Sequence, residues 1–180
     1  HVMSYRDSHQ ESGKGAGYHD SFESEKYRKM VWGLEKKYLN KILIENYKKN
    51  KISHLDFACG TGRILNFLER MTTSSTGIDI SHEMIQVARN NTSSKIIEGD
   101  LTREKLLVDK KFNLVTAFRF FPNAERRLRT DALSSIYNHL ENDGLLVFNN
   151  HRNKNSLIAT IRRLVFREKY RGLNREEIEL

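Results

Sequence analysis

Short apolar segments alternate with segments of helical periodicity between residues 51 and 150, and this alternation constrains the fold more than any other feature. The pattern predicts strands at 52–58, 76–80, 95–98, 112–118 and 144–148, and helices at 63–71, 81–90 and 123–140. Strands that alternate with helices form βαβ units, in which the strands are parallel and helices cover the sheet. The sequence therefore predicts an α/β fold with a doubly wound sheet of mainly parallel strands.

The segments on either side of this core differ from it in pattern. Residues 1–17 are polar and contain several glycines, which predicts a flexible lead-in. Apolar residues at spacings of three and four predict a helical segment over 18–50, with Gly33 expected to interrupt or bend it. A C-terminal helical segment is expected over 151–180. The predicted core thus occupies 51–150.

Length and composition limit the protein classes that fit. A chain of 180 residues is about the size of one domain. Its apolar runs are too short to cross a bilayer and it has no apolar signal segment, which predicts a cytoplasmic protein without a membrane partner. The net charge of +8 leaves a nucleic-acid partner open, but the basic residues are mixed with acids rather than clustered. The single cysteine excludes an internal disulfide, and no metal site is expected.

The loop after the first predicted strand, Asp56-Phe-Ala-Cys-Gly-Thr-Gly62, carries the strongest chemical signal. Gly60 and Gly62 allow a tight turn and a close approach of the backbone to a ligand. The helix that follows offers unpaired N–H groups at its start. A dinucleotide-binding loop would need a third glycine at the position of Leu65, so this loop disfavours an NAD- or FAD-dependent oxidoreductase.

The segment 54–63 resembles motif I of the class I S-adenosylmethionine-dependent methyltransferases, with Ala58 in place of the first glycine of that motif. The alanine methyl group is expected to crowd the floor of the cofactor pocket slightly. The resemblance implies a Rossmann-like sheet of order 3-2-1-4-5, S-adenosylmethionine as cofactor and S-adenosylhomocysteine as product. The family usually continues into two further strands, which this chain is expected to lack. The resemblance also implies that residues 18–50 form a lid over the cofactor.

Acidic residues end the second and third predicted strands. Asp79 matches the family's acid that accepts hydrogen bonds from the ribose hydroxyls, although a turn or helix-capping role is the alternative. If Asp79 binds the ribose, Asp79→Ala is expected to weaken cofactor binding by about 1–3 kcal/mol and hardly to change the stability of the unliganded protein. Asp100 and the backbone N–H of Leu101 match the contacts to adenine, and Met84 matches the residue that packs on it.

The loops after the fourth and fifth strands lie where cofactor and acceptor meet in the family. Phe118, Phe120 and Phe121, beside Arg119, predict an apolar wall with one cation, and the alternative is that the rings are core. Catalytic residues are not identified, with Arg119 and His151 as the candidates. The cofactor-binding set implied by the resemblance is Tyr18, Tyr27, Asp56, Ala58, Gly60, Gly62, Asp79, Ile80, Met84, Asp100, Leu101, Ala117 and Phe118.

The function expected from the sequence is in-line methyl transfer to an unidentified acceptor, with a small molecule as the expected class. The alternative is a non-catalytic cofactor-binding module in a protein or RNA-associated complex. Because the fifth predicted strand lies at the edge of the sheet, self-association through that strand or through the C-terminal helices is also expected.

Overall fold

The computed structural model describes residues 26–47 and 51–149, with side chains from residue 28 onward. The helices of this part of the chain are α1 (Lys26–Tyr47), α2 (Arg63–Leu68), α3 (His82–Asn91) and α4 (Arg126–His139). The strands are β1 (Ser53–Phe57), β2 (Ser74–Asp79), β3 (Lys95–Glu98), β4 (Phe112–Ala117) and β5 (Leu140–Phe148). No helix among these residues has the length and apolar character needed to cross a membrane.

The five strands form a single sheet of order β3-β2-β1-β4-β5. Every neighbouring pair is parallel, so the predicted fold class and strand order are confirmed. Strands β2 and β3 follow one another on one side of β1, and β4 and β5 follow on its other side, so the strand order reverses at β1. Ligands of open α/β sheets bind outside the carboxyl ends of the strands at such a reversal. The loops after β1, β2 and β4 are therefore brought to one edge of the sheet.

Several element boundaries differ from those predicted. Strand β5 begins at Leu140 instead of Gly144, and the β4–β5 pairing contains an irregularity between Phe112 and Leu114. Helix α4 begins at Arg126 instead of Asn123, because the backbone carbonyl of Phe120 accepts from two N–H groups in a turn before the helix. Such local hydrogen bonds set a boundary that periodicity does not reveal.

Two apolar clusters pack on opposite faces of the sheet. One contains residues of α4 together with Leu55 and Val115. The other contains residues of α1 and α2 together with Leu114, which precedes Val115 in β4. Successive residues of a strand point to opposite faces, so α4 covers one face and α1 with α2 covers the other.

The second half of α1 belongs to the core. Leu39, Leu43 and Tyr47 recur at spacings of four and are buried. The hydroxyl group of Tyr47 donates to the backbone oxygen of Asn113 at 2.5 Å, which fixes the end of α1 beside β4. Helix α1 also runs without interruption through Gly33. The second half of the segment 18–50, which the sequence predicts as a lid, therefore packs against the sheet.

Candidate functional site

The loop after β1 turns by placing three residues in left-handed backbone geometry. The φ angles are 56° at Ala58, 54° at Gly60 and 76° at Gly62. The N–H of Cys59 donates to the carbonyl of Ile78 at 3.0 Å, which ties the loop to β2. Glycine adopts such angles without steric cost, whereas an alanine does so under strain. The loop therefore has the shape that its glycines predict, with strain at Ala58.

The carboxylate of Asp79 joins the ends of β1 and β2. Its Oδ2 accepts from the N–H of Gly60 at 2.8 Å, and its Oδ1 accepts from the N–H of Ser81 at 2.9 Å. The side chain is buried. A carboxylate has about four acceptor positions, so an acid that holds such backbone bonds can also accept from a ligand. Asp79 therefore combines the turn role that the sequence offered as an alternative with a position beside the cleft described next.

A cleft opens at the carboxyl ends of β1, β2 and β3. Five residues of the predicted cofactor set line it: Ala58, Asp79, Ile80, Asp100 and Leu101. Its other lining residues include Thr102, Phe120 and Leu128. Thr102 and Leu128 carried no sequence signal, because their contribution depends on how the turn after Asp100 and helix α4 fold back over the cleft.

Asp100 shapes one wall of the cleft through a local turn. Its Oδ1 accepts from the N–H of Thr102 at 2.9 Å and from the hydroxyl of Thr102 at 2.5 Å. The N–H of Asp100 donates to Glu104 Oε1 at 2.7 Å. An aspartate that bonds to the backbone two residues onward stabilises a turn. The acid is thereby held at the end of β3, on the wall of the cleft.

Asp56 is a buried acid with one oxygen unused. Its Oδ1 accepts from the hydroxyl of Thr116 at 2.6 Å, whereas no described group bonds to its Oδ2. Burial raises the pKa of Asp56 to about 7, with Asp79 adding to the rise and Thr116 and Arg63 opposing it. An unsatisfied buried carboxylate oxygen is costly, and a hydrogen-bond donor from a ligand would satisfy it.

His54 supports this acid from the same strand. Its Nε2 lies 2.8 Å from the hydroxyl of Thr116, and its Nδ1 lies 3.1 Å from the hydroxyl of Ser75. Because Thr116 donates to Asp56, it accepts from His54 Nε2–H, which leaves Nδ1 to accept from Ser75. Burial lowers the pKa of His54 to about 3, so the ring is neutral.

The remaining predicted residues lie around the cleft at different depths. Met84 is buried in the first turn of α3. Its backbone N–H donates to the side-chain oxygen of the N-cap residue Ser81 at 3.4 Å. Ala117 is buried at the end of β4, and Phe118 packs with the α1 cluster. Of the other two rings, Phe120 lines the cleft and Phe121 is core. Tyr18, His151 and the side chain of Tyr27 lie outside the described residues.

A polar cluster that the sequence did not predict lies beside these loops. We name it the Glu35 cluster, formed by Glu35, Arg63, Arg119 and Asn149. Arg63 Nη1 donates to Glu35 Oε2 at 2.8 Å, and Asn149 Nδ2 donates to Glu35 Oε1 at 2.7 Å. Arg119 Nη2 lies 3.8 Å from Glu35 Oε1. Glu35 precedes Leu39 by one helical turn, so its place on the buried face of α1 was the signal that could have identified it.

The chain resembles known proteins both in sequence and in fold. Residues 55–144 match the family of methyltransferase domains. The uncharacterised protein MJ1252 of Methanocaldococcus jannaschii is 28% identical over an aligned length of 131 residues, and the match covers 69% of this chain and 49% of that protein. The chain thus spans about half the length of this curated relative.

Solved structures share the fold. The PH0226 protein of Pyrococcus horikoshii has a TM-score of 0.60 at 24% identity, covering 82% of this chain and 65% of its own. CalS10 of Micromonospora echinaspora has a TM-score of 0.61 at 20% identity, covering 78% and 58%. A methyltransferase of Clostridium acetobutylicum has a TM-score of 0.53 at 23% identity, covering 63% and 48%. The family match extends from β1 to the middle of β5, the part that carries the glycine loop and the cleft, and on this ground the chain belongs to the methyltransferase domain family.

Proposed function

We propose that this chain binds S-adenosylmethionine and transfers its methyl group to a small-molecule acceptor. The observation that carries the proposal is the cleft at the carboxyl ends of β1, β2 and β3. Acids from two of these strand ends, Asp79 and Asp100, line it beside the glycine loop. A nucleoside offers ribose hydroxyls and an exocyclic amine, which are hydrogen-bond donors, and these donors suit two carboxylates.

The buried acid Asp56 fits the other end of this cofactor. Its Oδ2 lacks a described partner and lies in a region where burial disfavours an uncompensated charge. The α-ammonium group of the cofactor is a donor and a cation, so it would satisfy both requirements. The chain thus offers acceptors for both the nucleoside and the amino-acid part of S-adenosylmethionine.

The chain's own residues have distinct proposed roles. Asp79 accepts from the ribose while it keeps its bonds to Gly60 and Ser81, and Asp100 with the N–H of Leu101 contacts the adenine. When bound, the cofactor supplies an electrophilic methyl group, so the protein contributes mainly position and exclusion of water. Arg119 cannot serve as a base, because a guanidinium stays protonated.

Three methyltransferases that share this fold support a small acceptor. CalS10 is an amino pentose methyltransferase, KedS8 is a sugar N-methyltransferase and MtfA is a glycopeptide N-methyltransferase. Each resembles this chain in fold with a TM-score above 0.5. We propose the same broad class of acceptor here, a polar small molecule.

We also propose that the residues before the packed part of α1 close over the cofactor. The segment 15–30 contains Tyr18 and Tyr27, and we assign the hydroxyl of one or the other to the cofactor carboxylate. Amide hydrogen exchange across 15–30 is expected to slow when S-adenosylhomocysteine binds. Protection at Gly60 and Asp79 without protection at 15–30 would contradict this lid.

Calorimetry tests the cofactor. S-adenosylmethionine and S-adenosylhomocysteine are expected to bind, and NAD is not, because Leu65 occupies the place of the third dinucleotide-loop glycine. Binding of NAD without binding of either sulfur compound would overturn the proposal. A screen of amino sugars and related acceptors that detects S-adenosylhomocysteine then tests the reaction. Cofactor binding without turnover of any acceptor would favour a non-catalytic module in a larger complex.

A further inference from the structure

The carboxylate of Glu35 is the point at which α1 meets three loops of the sheet. Oε2 bonds to Arg63, at the start of α2, and Oε1 bonds to Asn149, directly after β5. The Arg119 guanidinium, from the loop after β4, lies on the same carboxylate at 3.8 Å. Glu35 is only 9% exposed, so these charges interact with little screening by water. One side chain of α1 thus joins the loops that follow β1, β4 and β5.

Asn149 extends this contact to the backbone of the β4 loop. Its Nδ2 donates to Glu35 at 2.7 Å, and its Oδ1 accepts from the N–H of Arg119 at 2.6 Å. Arg119 has a φ of 64°, a left-handed conformation that an L-residue adopts only with support from its surroundings. The bond from Asn149 supplies such support at the strained residue itself.

The conformation of Arg119 determines where the next residue lies. The Phe120 ring lines the cofactor cleft and packs edge-to-face on Phe57, with ring centroids 4.9 Å apart. A change of backbone conformation at Arg119 would therefore move one wall of the cleft. The path runs from Glu35 through Asn149 and Arg119 to Phe120.

We infer that Glu35 is a positioning residue for the cofactor cleft, which acts through Asn149 to hold the β4 loop and the Phe120 wall in place. This inference rests on the proposed function for the identity of the ligand. It assigns no contact between Glu35 and the cofactor.

A reciprocal substitution tests the path. Glu35→Gln removes the charge, and Asn149→Asp places a carboxylate against the Glu35 carboxylate. Combined, the two changes restore one carboxylate and one amide to the cluster, with the glutamine amide donating to the aspartate and its carbonyl facing Arg63. We expect each single variant to bind S-adenosylhomocysteine about 5- to 10-fold more weakly. The double variant is expected to return to within about 2-fold of the wild-type affinity, because directly coupled residues are non-additive.

Two readouts need no ligand. Amide exchange at Phe120 and Phe121 is expected to quicken in each single variant and to recover in the double variant. Trp32 is the single tryptophan of the chain, and the Arg63 guanidinium lies 4.1 Å from its ring centroid, so its emission reports movement of the cluster. Glu45→Gln is the matched control, since Glu45 lies exposed on the same helix and pairs only with Lys41 among the described residues. Asn149→Ala leaves the Glu35–Arg63 bond intact and serves if a charge variant does not fold.

The outcomes separate the two proposals. Unchanged affinity and unchanged exchange at Phe120 in the single variants would overturn the positioning role. A double variant whose loss of binding free energy equals the sum of the two single losses would overturn it as well. A wild-type chain that binds neither S-adenosylmethionine nor S-adenosylhomocysteine would overturn the proposed function. Quickened exchange at Phe120 in the single variants of such a chain would still support the control of the β4 loop by Glu35.

Discussion

Ala58 is the residue at which this chain departs from the glycine pattern of its family, and the structure shows the consequence. Its φ of 56° is left-handed, a geometry that costs an L-residue about 1–2 kcal/mol. Ala58→Gly removes this strain but adds freedom to the unfolded chain, which costs about 0.4–1 kcal/mol. We expect a net gain in the free energy of unfolding of about 0.5–1 kcal/mol, measured by chemical denaturation.

The matched control is Ala132→Gly. Ala132 is buried in the middle of α4, where the same substitution removes a packed methyl group and lowers helix propensity. It is expected to destabilise the protein by about 1 kcal/mol or more. Equal losses at Ala58 and Ala132 would show that the strain at Ala58 contributes nothing.

A second prediction concerns the effect of replacing Asp79. Because its carboxylate accepts from the N–H groups of Gly60 and Ser81, Asp79→Ala leaves two backbone donors without their partner. We expect the unliganded protein to lose about 1–3 kcal/mol, in addition to a weaker affinity for S-adenosylhomocysteine. The sequence alone predicted almost no loss of stability, since the ribose role and the turn role appeared as alternatives there.

Thermal unfolding with and without ligand measures both effects, with the exposed acid Asp143 as the control for Asp→Ala. A variant that loses affinity but keeps wild-type stability would show that the two backbone bonds are energetically unimportant.

At the scale of elements, the hydrogen-bonded chain from Ser75 through His54 and Thr116 to Asp56 joins β2, β1 and β4. Its two ionisable groups have opposite effects on stability. The folded His54 stays neutral down to about pH 3, so its contribution is present above 6.5 and is lost as the pH falls. The folded Asp56 keeps its proton up to about pH 7, so its contribution is present below 3.8 and is lost as the pH rises. Between pH 3.8 and pH 6.5 the two groups therefore change the free energy of unfolding in opposite directions.

Asp56→Asn separates the two contributions. The difference in unfolding free energy between variant and wild type is expected to grow in favour of the variant from about pH 4 to about pH 7. The slope is on the order of 1 kcal/mol per pH unit, and the difference is constant above that window. Urea denaturation at several pH values measures it, with Asp143→Asn as the exposed control. A difference that does not change with pH would mean that Asp56 titrates alike in both states.

The elements also show what the sequence could and could not predict. Short apolar runs that alternate with helical segments identified all five strands and their parallel pairing, whereas the order 3-2-1-4-5 was implied by the resemblance to the methyltransferase family. The cleft positions of Asp79 and Asp100 followed from their register after strands. Periodicity could place Glu35 on the buried face of α1 but could not identify its partners, because they follow it by 28 residues at Arg63 and by 114 at Asn149. Only the assembled sheet brings such distant polar groups together.

For the whole molecule, the two edges of the sheet differ. Strand β3 has four residues and begins and ends with the charged Lys95 and Glu98, features that discourage pairing with another chain. Strand β5 has nine residues, ends in the apolar run Leu145–Phe148, and pairs on one side only among the described strands. We therefore predict that the 180-residue chain self-associates through β5.

Light scattering over a concentration series tests this association, which is expected to raise the average mass as concentration rises. A constant monomer mass, together with slow amide exchange at Val147, would show instead that the chain covers this edge itself.

The central place of β1 also has a consequence for the order of folding. Its contact with β2 joins residues 21 apart in sequence, as in His54 and Ser75, whereas its contact with β4 joins residues 60 apart, as in Asp56 and Thr116. Closing the longer loop costs about 1 kcal/mol more in chain entropy, so the β1–β2 half is favoured to form first. The bond between Asp56 and Thr116 and the Phe120 wall of the cleft form only after β4 pairs with β1. The site is therefore completed late in folding.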